Sequence, residues 1–173
     1  MTKKSIVDKI NDTFSGQHKN IVCDWYFNQI ACYLKNKNVL DYGSGNASIT
    51  KFYNVCTSDI VPNNFNNETS LDFIIDSTTG KLNTDKTFDV ITVLRNYILY
   101  SDIEHFLRVI NYLTTRLNSN GIILVGKHTI YDDFGDWNTQ IEEWLNENTH
   151  TVNNDITTFW IIHENTFNSN AAT

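Results

Sequence analysis

The stretch Asp41-Tyr42-Gly43-Ser44-Gly45 follows the apolar pair Val39-Leu40 and leads into a helix expected to begin near Asn46. A short buried strand that runs into two glycines turns sharply and lets a ligand approach its backbone closely. The dinucleotide fingerprint asks for a further glycine to pack helix against strand, and for amides aimed at a pyrophosphate. Ser48 stands at that further position. Asp41 lies two residues before the first glycine, where it suits a ligand that presents an ammonium group rather than an anion.

Reading outward, apolar residues at Val22, Tyr26, Ile30 and Tyr33-Leu34 recur at helical spacing, which predicts an amphipathic helix from His18 to Lys35. Strands are expected at Asn54 to Ile60, at Leu71 to Asp76 and at Phe88 to Leu94. Phe73-Ile74-Ile75 is a continuous apolar run of the kind parallel sheets bury on both faces. Ser101-Asp102-Ile103-Glu104 reads as a capping box, with Ile103, Phe106, Leu107, Ile110, Leu113 and Leu117 as one apolar stripe and Asn120-Gly121 as its left-handed stop. Ile122 to Val125 follows as a fifth strand. Asp136 can cap a helix carrying Trp137, Ile141, Trp144 and Leu145 on one face. Thr149 to Val152 and Ile156 to His163 flank the turn-prone Asn153-Asn154-Asp155, which suggests an antiparallel hairpin.

Alternating strands and helices imply an α/β fold: a single doubly wound, mostly parallel seven-stranded sheet with an antiparallel C-terminal hairpin and helices on both faces. The crossover from Asp59 to Leu71 is near the minimum length for joining parallel strands and reads as a plain loop. Ligands of such sheets sit at the carboxyl ends of the central strands.

Composition bounds the function. The 173 residues fit one domain, with 40% apolar and 19% charged residues in the globular range. A net charge of -7 repels a phosphate backbone, so nucleic acid is not favoured as a partner; Lys3-Lys4 and Lys35-Asn36-Lys37 read as solvated faces. Cys23, Cys32 and Cys56 lack zinc-type spacing, so no metal is expected and free thiols in a reducing compartment are. Neither a leader nor a membrane-spanning run is apparent, which makes the cytoplasm the expected location. Frequent Asn, Ile and Lys with a single proline, Pro62, suggest an A+T-rich genome and hint at a virus or a parasitic microbe, with host cytoplasm as the expected location if the source is viral.

Two further acids complete the pattern. Asp59 ends the second strand, where a carboxylate can accept both hydroxyls of a ribose, and Asp76 ends the third. Aspartate at a strand end also commonly caps a turn, and for each acid taken singly that reading stands beside the ligand one. Their shared placement on successive strands argues for a common ligand. From Val39 to about Gly126 the sequence resembles the class I S-adenosylmethionine-dependent methyltransferases, with Phe88 to Leu94 similar to the family's fourth strand and Leu117 to Val125 similar to its helix end, glycine turn and fifth strand. The resemblance implies a cofactor, S-adenosylmethionine, with S-adenosylhomocysteine as product. It assigns Asp41, Tyr42, Gly43, Ser44 and Gly45 to the methionyl part, Asp59 and Ile60 to ribose, and Asp76 and Ser77 to adenine, with Leu94 alongside. One domain spanning 1–173 then divides into an N-terminal helical segment covering the cofactor site (1–37), a cofactor-binding core (38–128), and a C-terminal helix and hairpin (129–173).

Methyl transfer from a sulfonium is an in-line displacement, so alignment and a dry site are the main requirements, with a base where the acceptor must lose a proton. Arg95, Asn96, Tyr97 and Tyr100 follow the fourth strand; Lys127, His128 and Tyr131 follow the fifth. His128, Lys127 and Tyr97 are the candidates for catalysis, His128 by its intrinsic pKa, although a lone loop histidine also serves as a hydrogen-bonded surface residue. Leu94-Arg95-Asn96-Tyr97 lacks the prolines of the DNA amino-methyltransferases, and no cysteine follows Cys56 to act as a cytosine-C5 nucleophile. An RNA cap or ribose 2'-O-methyltransferase could use Lys127, but Arg95 stands near the place of that family's aspartate, and Glu164 comes late in its strand. A small-molecule acceptor is therefore expected. The alternative is a weakly active or inactive subunit acting as scaffold, and a protein partner could complete the substrate site of either.

Overall fold

The computed structural model describes residues 29–44, 54–60, 71–94, 102–128, 138–153 and 157–167. Within them lie α1 (Ala31–Leu34), β1 (Val39–Tyr42), β2 (Cys56–Asp59), β3 (Phe73–Ile74), β4 (Phe88–Leu94), α2 (Ile103–Thr114), β5 (Leu117–His128), α3 (Thr139–Asn148), β6 (His150–Asn153) and β7 (Thr157–His163). The strands form one seven-stranded sheet in the order β3-β2-β1-β4-β5-β7-β6. Pairing is parallel from β3 through β5 and antiparallel between β5 and β7 and between β7 and β6. The expected seven-stranded α/β sheet with a terminal hairpin is the one observed. Strand order reverses between β1 and β4, which opens a crevice at their carboxyl ends.

Side-chain alternation in the central strands sorts the core onto two faces. Leu40 and Tyr42 of β1 and Ile91 and Val93 of β4 face α2 and α3, whose Phe106, Val109, Ile110, Leu113, Ile141 and Leu145 are all buried. Val39, Val90 and Leu94 point the other way, packing with Ile30 and Leu34 of the α1 segment. Fully burying each large side chain of this kind contributes about 1.5–3 kcal/mol. Strand β4 is the hub because it is buried almost throughout and lies between β1 and β5.

Several boundaries differ from the sequence reading. Helix α2 begins at Ile103 with Asp102 as its N-cap; the Asp102 side chain accepts a hydrogen bond from the Glu104 amide at 2.8 Å, so it takes the capping place assigned to Ser101, which lies outside the described residues. The helix ends at Thr114, and Leu117 already belongs to β5. Asn120, with φ 63°, is left-handed as expected, but it lies inside β5 and does not stop the helix. Phe88 pairs with Leu117 and Val90 with Ile122, so five steps of β5 face two of β4 and the intervening residues bulge. Helix α3 is capped by Asn138, whose side chain accepts from the Gln140 amide at 2.9 Å; Asp136 and Trp137 lie outside the described residues. The helix predicted over His18 to Lys35 is described only at Ala31–Leu34, and left-handed Asn36 follows its end. The helix expected near Asn46 also falls outside the described residues.

β3 is a two-residue edge strand, and Ile74 is 37% exposed, contrary to the expectation that its apolar run is buried on both faces. Its outer edge is covered locally: the Ile74 amide donates to Asn83 Oδ1 at 2.8 Å, and the Asn83 amide donates back to the Ile74 carbonyl at 3.0 Å. On the inner side, Asp72 Oδ2 accepts from the Thr57 amide at 2.8 Å and extends the pairing with β2.

The β5 bulge constrains Gly121. A Cβ there stands 2.8 Å from the Asn118 carbonyl oxygen, 3.0 Å from Leu117 Cβ and 3.2 Å from the Asp89 carbonyl oxygen, and two of these three are backbone atoms that cannot yield cheaply. Gly121→Ala is expected to destabilise the fold by about 1–3 kcal/mol, read as a lower urea midpoint with an unchanged slope. A wild-type midpoint would show that the bulge is not tightly packed.

Candidate functional site

The carboxyl ends of β1, β2 and β3 lie side by side because the three strands are parallel neighbours. Asp41 is opposite Thr92 of β4 and only 5% exposed. Its Oδ1 accepts a 2.7 Å hydrogen bond from the Thr92 hydroxyl, which orients the carboxylate on the buried face of the sheet. Burying a carboxylate is costly unless hydrogen bonds compensate.

The turn after β1 is stitched to β2 through Ser58. The Gly43 and Ser44 amides both donate to the Ser58 carbonyl, at 3.0 and 2.8 Å. The Ser44 and Ser58 hydroxyls each donate to the Asp41 carbonyl at 2.9 Å, and the Ser58 amide donates to Ser44 Oγ at 3.1 Å. Gly43 has φ 78°, a conformation that glycine adopts without the Cβ penalty, which accounts for the first glycine of the turn. Gly45 lies outside the described residues.

Asp59, half-buried at the end of β2, accepts from the Ile60 amide at 2.7 Å through Oδ1, while its carbonyl accepts from Ile75 of the neighbouring chain segment at 2.8 Å. Asp76 is exposed, and its Oδ1 caps a turn by accepting from the Thr78 and Thr79 amides at 2.9 and 2.8 Å. Its backbone closes the same turn: the Gly80 amide donates to the Asp76 carbonyl, and the Asp76 amide to the Lys81 carbonyl, both at 2.8 Å. The Thr79 and Thr78 hydrogen bonds hold the Asp76 carboxyl below its ordinary value. Ser77 is exposed in this turn, and Leu94 closes β4 as a buried residue.

Of the other predicted site residues, Tyr42 turns its side chain away from Asp41 into the α2 side of the core, leaving its backbone to the glycine turn. Lys127 and His128 close β5, where they pair with Thr158 and Thr157 of β7; their side chains lie outside the described residues. Tyr97 lies outside them altogether. Sequence reasoning missed Ser58 and Thr92. A hydroxyl that interrupts the apolar run Phe88 to Leu94 was the available signal for Thr92, because a buried hydroxyl calls for a partner.

No family model and no curated protein matches the sequence. Solved structures do match the fold. The N-methyltransferase NodS from Bradyrhizobium japonicum superposes with a TM-score of 0.59 at 12% identity, covering 86% of this chain and 97% of NodS. A SAM-dependent methyltransferase from Methanosarcina mazei gives 0.51 at 16% identity, covering 78% and 95%. NodS in complex with S-adenosyl-L-homocysteine gives 0.50 at 14% identity, covering 73% and 76%. The chain has the class I methyltransferase fold. Within this methyltransferase fold, the connection from β3 to β4 is a turn closed by an Ile75–Leu82 bridge rather than a helix.

A carboxyl whose pKa is depressed on folding contributes stability that is present above its unfolded pKa, about 3.9 for aspartate, and is lost as pH falls through the lower folded value. Asp76→Asn keeps an oxygen to cap the turn but removes this titration. Its stability is expected to fall less steeply than that of the wild type as pH drops below 4, measured by urea unfolding at successive pH values. Parallel acid limbs would contradict the capping geometry.

Proposed function

We propose that this chain binds S-adenosylmethionine along the carboxyl edge of β1, β2 and β3 and catalyses methyl transfer to a small-molecule acceptor. The observation that carries the reading is the placement of Asp41 and Asp59 at the carboxyl ends of β1 and β2 and of Asp76 in the turn just beyond β3, three neighbouring parallel strands beside the point where strand order reverses. A set of carboxylate acceptors suits an ammonium group and ribose hydroxyls, which donate, and it repels the phosphates of a dinucleotide. The S-adenosylhomocysteine complex of NodS, a protein of the same fold, supports the choice of ligand.

In this reading Asp41 and the turn Tyr42-Gly43-Ser44-Gly45 hold the amino-acid end, Asp59 and Ile60 the ribose, and Asp76 and Ser77 the adenine, with Leu94 flanking the site. When bound, S-adenosylmethionine supplies an activated methyl group whose transfer leaves S-adenosylhomocysteine. The chain's own work is alignment: Thr92 fixes the Asp41 carboxylate, and Ser58 fixes the turn. Lys127 and His128, at the carboxyl end of β5, and Tyr97, after β4, flank the acceptor, where His128 removes the proton that the acceptor loses. A second reading, a partner-dependent or inactive subunit, draws support from the β3 to β4 connection, a turn rather than a helix, so that this chain supplies less of the wall along the cofactor edge.

S-adenosylhomocysteine at a hundredfold excess over its Kd is expected to stabilise the wild type by about 2.7 kcal/mol, raising Tm by roughly 5–10 °C for a chain of this length. Asp59→Ala is expected to abolish the rise. No Tm change at millimolar ligand would refute the cofactor assignment. Binding without label transfer, in a radiolabelled-methyl screen over metabolite, protein and RNA pools, would favour the subunit reading; label confined to the RNA pool would turn the acceptor to ribose or a cap.

A further inference from the structure

Tyr42 occupies a position that the glycine turn does not explain. Its backbone closes β1 and opens that turn, yet its side chain leaves the site and is only 3% exposed. The phenol crosses to the chain segment after β3, where its hydroxyl donates to the Gly80 carbonyl at 2.7 Å. Gly80 is the end of the turn that Asp76 caps, and its φ of 73° is left-handed. There is no slack around it: a Cβ on Gly80 stands 2.6 Å from Val109 Cγ2 and 3.2 Å from the Tyr42 hydroxyl. A second tyrosine fixes the far side of the turn, since the Leu82 amide donates to the Tyr112 hydroxyl of α2 at 3.0 Å. Burial, reinforced by Tyr112 and Asp59, pushes the Tyr42 phenol well above its ordinary pKa, so at neutral pH it keeps the proton it donates.

We propose that Tyr42 is a positioning residue that couples the two ends of the ligand site, its backbone shaping the glycine turn and its hydroxyl setting the height of the Asp76-Ser77 turn through Gly80. The inference rests on the cofactor reading above, and it adds the means by which the adenine side is held without a helix between β3 and β4. A buried hydroxyl of this kind is an economical device: the turn has few apolar side chains of its own, with Ser77, Thr78, Thr79 and Lys81 all exposed. Its position therefore depends on the two tyrosines and on Leu82, which is buried. Removing the Tyr42 hydroxyl leaves the Gly80 carbonyl buried without that donor, and the turn relaxes away from the sheet.

The test compares Tyr42→Phe with the wild type in two ways. In the ligand-free protein, amide hydrogen exchange over residues 77–82 is expected to accelerate about three- to tenfold, the range of one net hydrogen bond. Calorimetry is expected to show a similar loss of affinity for S-adenosylhomocysteine, with less than about twofold change for S-ribosylhomocysteine, which lacks the adenine. Tyr112→Phe, which frees the opposite side of the turn, is expected to give the same split. Equal weakening of both ligands indicates a merely structural role and overturns the inference while leaving the cofactor reading intact. Unchanged exchange, or unchanged affinity for both ligands, overturns it as well. A wild type that does not bind S-adenosylhomocysteine overturns the cofactor reading and, with it, the coupling.

Discussion

A carboxylate held on the inner face of a parallel sheet is expensive, and Asp41 is such a group. It lies one residue before the end of β1, opposite Thr92, whose hydroxyl bonds its Oδ1. The same residue's carbonyl accepts from two serine hydroxyls, one in the turn and one in β2. Three strands are thereby tied together at one buried point: β1 through Asp41, β2 through Ser58 and β4 through Thr92. Nothing in the apolar core requires this. Valine at position 92 would pack with Val90 and Leu94, but it would take the Thr92 donor away from the buried Asp41 Oδ1, so the two residues stand or fall together. This polar cluster lies where strand order reverses, the place at which the proposed reading puts the ligand.

The surroundings hold this edge from both sides. On one face, α2 and α3 press on Leu40, Ile91 and Val93; on the other, Ile30 and Leu34 cover Val39, Val90 and Leu94. The β3 side is lighter. There a two-residue strand is completed by side chains, Asp72 and Asn83, and the following turn is pinned by two tyrosine hydroxyls. Polar pins replace apolar bulk on that side, and the two tyrosine bonds reach it from β1 and α2, elements distant in sequence.

Much of this was legible in the sequence, because periodicity and turn chemistry are local. Phe88 to Leu94 reads as a buried strand and is one, and Val39-Leu40 before a glycine turn reads as the strand that leads into the site. What escaped depended on partners distant in sequence. Ser58 and Thr92 acquire meaning only once β1 is placed between β2 and β4. Ile74 looks like core until β3 proves to be the edge. Asn120-Gly121 reads as a helix stop because a left-handed asparagine before glycine usually is one; here the same geometry serves a bulge, since Leu117 pairs with Phe88 before the helix could continue. The cap of α2 moved from Ser101 to Asp102 because both residues can accept from the amides that follow, and the observed helix starts one residue later than the serine would place it. Asp76 illustrates the two readings open to a strand-end acid: its Oδ1 caps its own turn, and the turn so formed lies at the edge that Asp41 and Asp59 share.

The central claim is that this edge, and no other surface, receives the cofactor. Backbone amide chemical shifts followed during titration with S-adenosylhomocysteine test it most directly. The account predicts saturable shifts that cluster at residues 41–45, 59–60, 76–77 and 94, with little change across α3, β6 and β7. Absence of saturable shifts at millimolar ligand, or a cluster centred away from the carboxyl ends of β1, β2 and β3, would contradict it.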